Sequence, residues 1–293
     1  IYLVTSPNTK QKVIKKNITA QTLNCKGQLI DLSVPKIMGI LNLTSDSFYD
    51  GGKYNSIDKA LSHTESMLEQ GAFFIDIGAA TSKPGSKPIS PENEKKKVLP
   101  VLDALVSRFP ETHFSIDTYN HQVAQASIEL GASMINDISG GIFDSKMHET
   151  VSKHAIPYVM MHMQGTPETM QENPNYKDIV TEILAFFSKQ IEVAYAAGIQ
   201  DILIDPGFGF GKSIEHNYTL FKHLQQFKRL GYPILIGVSR KSMIYNFLET
   251  TAEHALNGTT ALNAFALDRG AQILRVHDVK EAKECVDLWR ALQ

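Results

Sequence analysis

Short apolar runs alternate with amphipathic stretches along almost the whole chain. Near the start, TLNC (22–25) and QLIDL (28–32) flank Lys26-Gly27, and a glycine in a two-residue connection predicts a β-hairpin. Beyond Pro35 the rhythm changes. KIMGILNL (36–43), FFIDIG (73–78), HFSID (113–117), SMIND (133–137), PYVMMHM (157–163), DILID (201–205), PILIGVS (233–239) and AQILRVH (271–277) are short apolar runs ended by polar or turn residues. Each reads as a buried strand. Between them, apolar positions recur at helical spacing over 57–70, 92–108, 122–130, 145–154, 179–197, 214–229, 241–248, 255–268 and 279–292. Gly71, Gly131, Gly198 and Gly231 stand just past four of these segments, as helix stops do. Ser90-Pro91 opens another as a cap residue followed by Pro at the first helical position.

Eight strands, each followed by a helix, predict a parallel sheet covered by helices. Eight such units in roughly 250 residues match the (β/α)8 or TIM barrel. The competing doubly wound sheet carries a Gly-rich fingerprint in its first βα turn. Here that turn, 42–52, holds no GxGxxG. The expected organisation is an N-terminal extension over 1–21 and one barrel domain over 22–293 that includes the hairpin 22–32. The irregular stretches 42–55, 79–91 and 163–177 all follow strands, so a barrel gathers them on one face.

Composition removes function classes. Hydrophobic residues make up 43% of the 293 and charged residues 20%, which suits a sizeable core and excludes global disorder. Lys and Arg number 29 against 31 Asp and Glu, a net charge of −2. Such a chain has no bulk electrostatic footprint for nucleic acid or an anionic membrane. Cys25 and Cys285 lie near opposite ends, which excludes a CxxC pair and a Cys-rich zinc site and suits a reducing cytoplasm. No run approaches the ~18 apolar residues of a membrane helix. The basic start, with Lys10, Lys12, Lys15 and Lys16, lacks the apolar core of a secretory signal and reads as a solvated arm.

Barrel enzymes work at the carboxyl ends of their strands. The predicted ends carry Asn42, the 78–84 loop, Asp117, Asn136, Met161-His162, Asp205, Ser239-Arg240-Lys241 and Arg275-Val276-His277. Asp117, Asn136 and Asp205 accept hydrogen bonds and Lys241 donates, a set suited to a flat heterocycle with several N–H groups. Arg275, His277 and Asn42 suit an anion such as phosphate. Asp46, in the first long loop, offers an oxygen to a hard cation beside that anion. Each residue also has a plainer reading. An Asp at a strand end can cap the next helix, and Arg275 and His277 can pair structurally on their shared strand face. His162 reads as a satisfied core histidine and Asp76 as a structural partner inside the barrel. DPGFGFGKS (205–213) imitates a phosphate loop but has three residues where that loop needs four, and Pro206 where it needs Gly. Its glycines read instead as sites of close backbone approach, with Phe208 or Phe210 as an apolar wall.

Five segments together resemble the dihydropteroate synthase family: IMGILNLTSDSFYDGG (37–52), INDISGG (135–141), MHMQGTPETMQ (161–171), DPGFGFGK (205–212) with GVSRKS (237–242), and ILRVHDVKEA (273–282). The resemblance runs from about Leu23 to the last residue. It implies a pterin-binding barrel that condenses 6-hydroxymethyl-7,8-dihydropterin diphosphate with 4-aminobenzoate, a folate-synthesis step blocked by sulfonamides. By resemblance, Asp117, Asn136, Met161, Asp205, Gly237 and Lys241 form the pterin site. Asn42, Ser82, Arg275 and His277 bind the diphosphate, with Mg²⁺ at Asn42 and Asp46. Phe48, Ser82, Lys83, Pro84, Phe210, Lys241 and Ser242 line the aminobenzoate pocket, where a helix beginning at Ser242 faces the carboxylate. Asp46, Asp117, Asp205, Lys241, Arg275 and His277 carry the chemistry. A cytoplasmic homodimer is implied. The rival readings are a pterin-dependent methyltransferase and a non-catalytic protein that binds pterin or sulfonamide.

Two loops depart from the family pattern. Ser45 replaces a usual Pro, and GAATSKPG (78–85) has Ser82 for Thr and Lys83 for Arg. Lys keeps the charge but loses the planar fork that stacks and binds bidentately. Lys83→Arg is therefore expected to retain turnover and shift the aminobenzoate KM or the sulfonamide inhibition constant modestly. Steady-state kinetics in which neither constant moves would remove Lys83 from that rim.

Overall fold

The structure, a computed structural model, describes residues 22–43, 52–79, 85 and 88–293, with the backbone alone for 52–56. The 1–21 extension and the expected site residues Asp46, Phe48, Ser82, Lys83 and Pro84 lie outside the described residues.

The hairpin forms as its turn chemistry dictates. β1 (Thr22–Cys25) pairs antiparallel with β2 (Gln28–Asp31). Lys26 and Gly27 both take positive φ, 54° and 84°, as a primed two-residue turn requires. The parallel strands β3 (Lys36–Asn42), β4 (Phe74–Gly78), β5 (His113–Asp117), β6 (Met134–Asp137), β7 (Tyr158–Met161), β8 (Ile202–Asp205), β9 (Ile234–Ile236) and β10 (Ala271–Val276) follow. They close into a barrel in sequence order, with β10 against β3. Around them pack α1 (Gly52–Glu69), α2 (Pro91–Arg108), α3 (His121–Leu130), α4 (Met147–His154), α5 (Ile179–Ala196), α6 (Ile214–Lys222), α7 (Ser242–Tyr245), α8 (Leu256–Asp268) and α9 (Val279–Ala291). The predicted (β/α)8 barrel with an N-terminal hairpin is thus the observed fold.

Four departures from the pattern have local reasons. α1 starts at Gly52 rather than at 57, because its first turn, GKYNS, is too polar to show an apolar period. The expected helix 214–229 divides into α6 and a 3-10 helix, Leu224–Leu230. Leu224 and Phe227 are buried and Leu230 is half-buried, and a spacing of three aligns them on a 3-10 face. The expected helix 241–248 shrinks to α7, a single turn. β9 also stops at Ile236, as the chain turns through Arg240, whose φ is +52°. Arg240 is held there by paired bonds to Asp278, 2.8 Å each, and by the Ala252 and Glu253 carbonyls.

Alternation along the strands sorts the core into two bodies. Ile37, Leu41, Ile75, Ile77, Ile116, Ile135, Ile204 and Leu274 pack with the helices. Met38, Phe74, Met134, Val159, Leu203, Leu235 and Ile273 cluster instead with Leu23, Cys25, Ile30 and Leu32 of the hairpin segment. The hairpin is therefore an apolar plug continuous with the lower barrel interior. Leu23 is 1% exposed, so Leu23→Ala is expected to lower the unfolding free energy by roughly 2–5 kcal/mol. Urea unfolding showing a loss well under about 1 kcal/mol would mean that the hairpin does not belong to the core.

Candidate active site

Period two carries the plug upward into a polar layer. Two residues beyond Phe74, Met134, Val159, Leu203, Leu235 and Ile273 stand Asp76, Asn136, Met161, Asp205, Gly237 and Arg275. One pleat higher come Asn42, Asp117 and His277. The strand rule therefore brings Asn42, Asp117, Asn136, Met161, Asp205, Gly237, Lys241, Arg275 and His277 to one barrel mouth.

Arg275 is the hub. Its Nε donates to Asp76 Oδ2 at 2.6 Å and its Nη2 to Asp117 Oδ2 at 2.8 Å. Asp76, fully buried, also accepts from Asn136 Nδ2 at 3.0 Å. One buried carboxylate thus orients two site residues from different strands. The sequence reading of Asp76 as an internal structural partner was right about the pairing and missed its place beneath the site. Its position two residues after Phe74 was the available signal. Burial opposes the Arg275 charge, but Asp76 and Asp117 outweigh it and its pKa rises. Burial pushes the Asp117 carboxyl up; Arg275 opposes the rise, while Asp76, Glu94 and Asp137 add to it.

Glu94 was not anticipated. It is 1% exposed and accepts from Asn120 Nδ2 at 2.7 Å, which ties α2 to the loop beyond Asp117. Helical spacing gave no reason to expect an acid on the buried face of α2.

Across the mouth, Asp205 accepts from Gly207 N at 2.8 Å. Burial pushes its carboxyl up, and Lys241 is the largest opposing influence. Lys241 Nζ donates to the Phe208 carbonyl at 2.6 Å and sits 4.5 Å from the centre of the Phe210 ring. Burial lowers Lys241 to about 8, against the pull of Asp205. Gly237 leaves the floor open: a Cβ there would meet only Arg275 Cβ and Lys241 Nζ, both at 3.9 Å. Of the two candidate wall residues, Phe208 is wholly buried in the core against Phe221, so Phe210 is the one at the mouth. Ser242 is exposed at the start of α7, a helix of four residues. His162 is buried, as the core histidine read from sequence, and its Nδ1 finds a partner in Lys212 Nζ at 3.1 Å.

The family model described as pterin binding enzyme matches residues 38–277. Dihydropteroate synthase of Haemophilus influenzae is 42% identical over 271 residues, 92% of this chain and 98% of that protein. The Escherichia coli K12 enzyme is likewise 42% identical, over 92% of this chain and 95% of its own length. The chain belongs to the dihydropteroate synthase family. Among solved structures, the Yersinia pestis dihydropteroate synthase in a sulfonamide drug complex matches with a TM-score of 0.87 at 43% identity, over 92% of this chain and 98% of that one. The Xanthomonas albilineans dihydropteroate synthase with 4-aminobenzoic acid matches at 0.87 and 37% identity, over 94% and 99%. Membership makes the chain a transferase of folate biosynthesis.

His277, at the rim, accepts or donates at Nδ1 to Ser239 Oγ, 3.2 Å away. Part of the residue is open to solvent. Desolvation among the strand ends, then the Arg275 charge, nevertheless lower its pKa from 6.5 to about 4. A depressed histidine contributes stability that is present above the unfolded value and lost as pH falls through the folded one. His277 is therefore expected to titrate well below 6.5 in the ligand-free protein and to favour unfolding as pH drops from 6.5 toward about 4. NMR titration of its Cε1–H with a midpoint at or above 6.5 would contradict this environment.

Proposed function

We propose that this barrel mouth condenses 6-hydroxymethyl-7,8-dihydropterin diphosphate with 4-aminobenzoate, forming 7,8-dihydropteroate and diphosphate. The observation that carries the reading is the ring of acceptors, the half-buried Asp117 with the buried Asn136 and Asp205, closed by Lys241 and joined to an anion-facing Arg275 and His277. A flat heterocycle with several N–H groups satisfies that ring, and Met161, 2% exposed, offers it a polarizable face.

The roles follow from the charges. The C–O bond between the pterin methylene and the diphosphate ionises, and the electron pair leaves with the diphosphate. Asn42, Ser82, Arg275 and His277 hold that leaving group, and Arg275 offsets its growing charge. Asp117 and Asp205 stabilise the pterin cation. The arylamine nitrogen attacks the methylene and gives up a proton, so no protein nucleophile is required. Phe48, Ser82, Lys83, Pro84, Phe210, Lys241 and Ser242 surround the aminobenzoate, and Asp46 and Phe48 belong to a loop that excludes water from the cation.

Mg²⁺ beside the diphosphate is part of the proposal. Among the described residues, no three His, Cys, Asp or Glu side chains converge as a metal site. The exposed Asn42 offers one oxygen at the mouth, and Asp46 is the second ligand proposed. This sparse set fits Mg²⁺, which relies on one or two protein oxygens and completes its shell with substrate phosphates and water. When bound it supplies charge neutralisation to the leaving group. No described helix is long and apolar enough to cross a membrane, which is compatible with the cytoplasmic placement proposed. Phe247, Leu248, Phe265 and Leu288 are left exposed, and a second copy of the chain is the proposed partner.

Diphosphate release measured with and without 4-aminobenzoate tests the reaction. Release that depends on aminobenzoate, yields dihydropteroate and yields to a sulfonamide is expected. A methyltransferase or a non-catalytic binder gives none of these. Asp205→Asn turns an acceptor partly into a donor and is expected to lower kcat/KM by about 10–100-fold, or about 1.4–2.8 kcal/mol. Unaltered kinetics in that variant would take Asp205 out of the pterin site.

A further inference from the structure

The lysine of DPGFGFGK (205–212) has no part in the reaction above, yet it is 3% exposed. Its Nζ donates to the carbonyls of Gly207 at 2.8 Å, Phe210 at 3.0 Å and His162 at 3.3 Å, and lies 3.1 Å from His162 Nδ1. Carbonyls are acceptors only. An ammonium has three donors for them, whereas a neutral amine would turn a lone pair against one. Neutral His162 Nδ1 completes the cage as a fourth acceptor at 3.1 Å, so the three N–H groups are shared among four sites; burial and then the Lys212 charge lower His162 to about 2. Burial draws Lys212 itself downward, Asp205 opposes this, and Lys241 is the other charge felt there.

The cage shapes the loop. Gly207, Gly209 and Gly211 take φ values of 70°, 83° and 62°, so every second residue is left-handed. The carbonyls of Gly207 and Phe210 face Lys212. Between and beyond them, Phe208 O receives Lys241 at 2.6 Å, Gly209 O receives Gln171 Nε2 at 2.6 Å and Gly211 O receives the Tyr176 hydroxyl at 2.8 Å. Every carbonyl from Gly207 to Gly211 thus has a side-chain donor. The loop is also pressed on its neighbour: a Cβ at Gly207 would lie 2.0 Å from His162 O, and one at Gly211 2.4 Å from Gln164 O.

We propose that Lys212 is a positioning residue, a tethered cation that folds the 205–212 loop so that the Phe208 carbonyl and the Phe210 ring hold Lys241 in the substrate pocket. The proposal rests on the condensation and on the aminobenzoate pocket assigned to Lys241 and Phe210. An uncharged side chain of equal length cannot replace it, but a free small cation can.

The test uses the full chain. Aminobenzoate-dependent turnover by the unaltered protein is measured first, since its absence would sink the reaction rather than the role of Lys212. Lys212→Met, its fold verified by circular dichroism, is expected to raise the aminobenzoate KM about tenfold with a smaller change in kcat. Lys212→Ala is expected to recover kcat/KM in ammonium chloride, relative to sodium chloride at equal ionic strength. Should Lys212→Met not fold, the thermal midpoint of Lys212→Ala carries the test, and it should rise with ammonium over sodium. A folded Met variant with unaltered KM, or an Ala variant indifferent to ammonium in rate and midpoint, overturns the proposal.

Discussion

A guanidinium half-buried at the mouth of a closed barrel cannot shed its proton, so the strands around it must supply the opposite charge. Arg275 meets that constraint with Asp76 from β4 and Asp117 from β5. The consequences spread through the site. Asp76 can also hold Asn136 because it lies in the same pleated layer. Asp117 is held as an acceptor at the mouth by Arg275, which opposes the upward pull of desolvation on its carboxyl. In the proposed reaction the diphosphate meets a cation whose orientation is already set, which is what preorganised electrostatic stabilisation needs.

Beneath that layer the hairpin and the lower strand residues form an apolar plug, and above it the loop after β8 forms a wall. The division follows from alternation alone. β4, β6, β8, β9 and β10 each present an apolar residue to the plug and, two residues on, a polar or small one to the mouth, Asp76, Asn136, Asp205, Gly237 and Arg275 in turn. That wall obeys a different rule. The loop after β8 has no regular ladder, so its carbonyls are met one by one by Lys212, Lys241, Gln171 and Tyr176. A wall built this way is rigid only while its donors stay in place, and one of those donors, Lys241, is itself proposed for the substrate pocket.

Much of this was legible because the signals are local. Continuous apolar runs between turn residues marked every barrel strand, and Gly131, Gly231 and Ser90 marked helix ends where they were expected. The pattern failed where its premise failed. The polar first turn of α1 carries no apolar period, and Leu224, Phe227 and Leu230 follow a period of three that resembles a helix over a short window. DPGFGFGK was rightly separated from a phosphate loop by its spacing, yet spacing could not say that its lysine turns inward.

The chain by itself determined the eight βα units, the hairpin and the residues that alternate into the mouth, because pleat and helix periods act between near neighbours. Only the tertiary structure decided which of them pair. Arg275 stands 199 residues from Asp76 and 158 from Asp117, and Lys212 stands 50 from His162. No local period relates such positions. Their partnership depends on closure of the barrel and on the depth at which each side chain meets the axis, and it is settled only when all eight strands are in register.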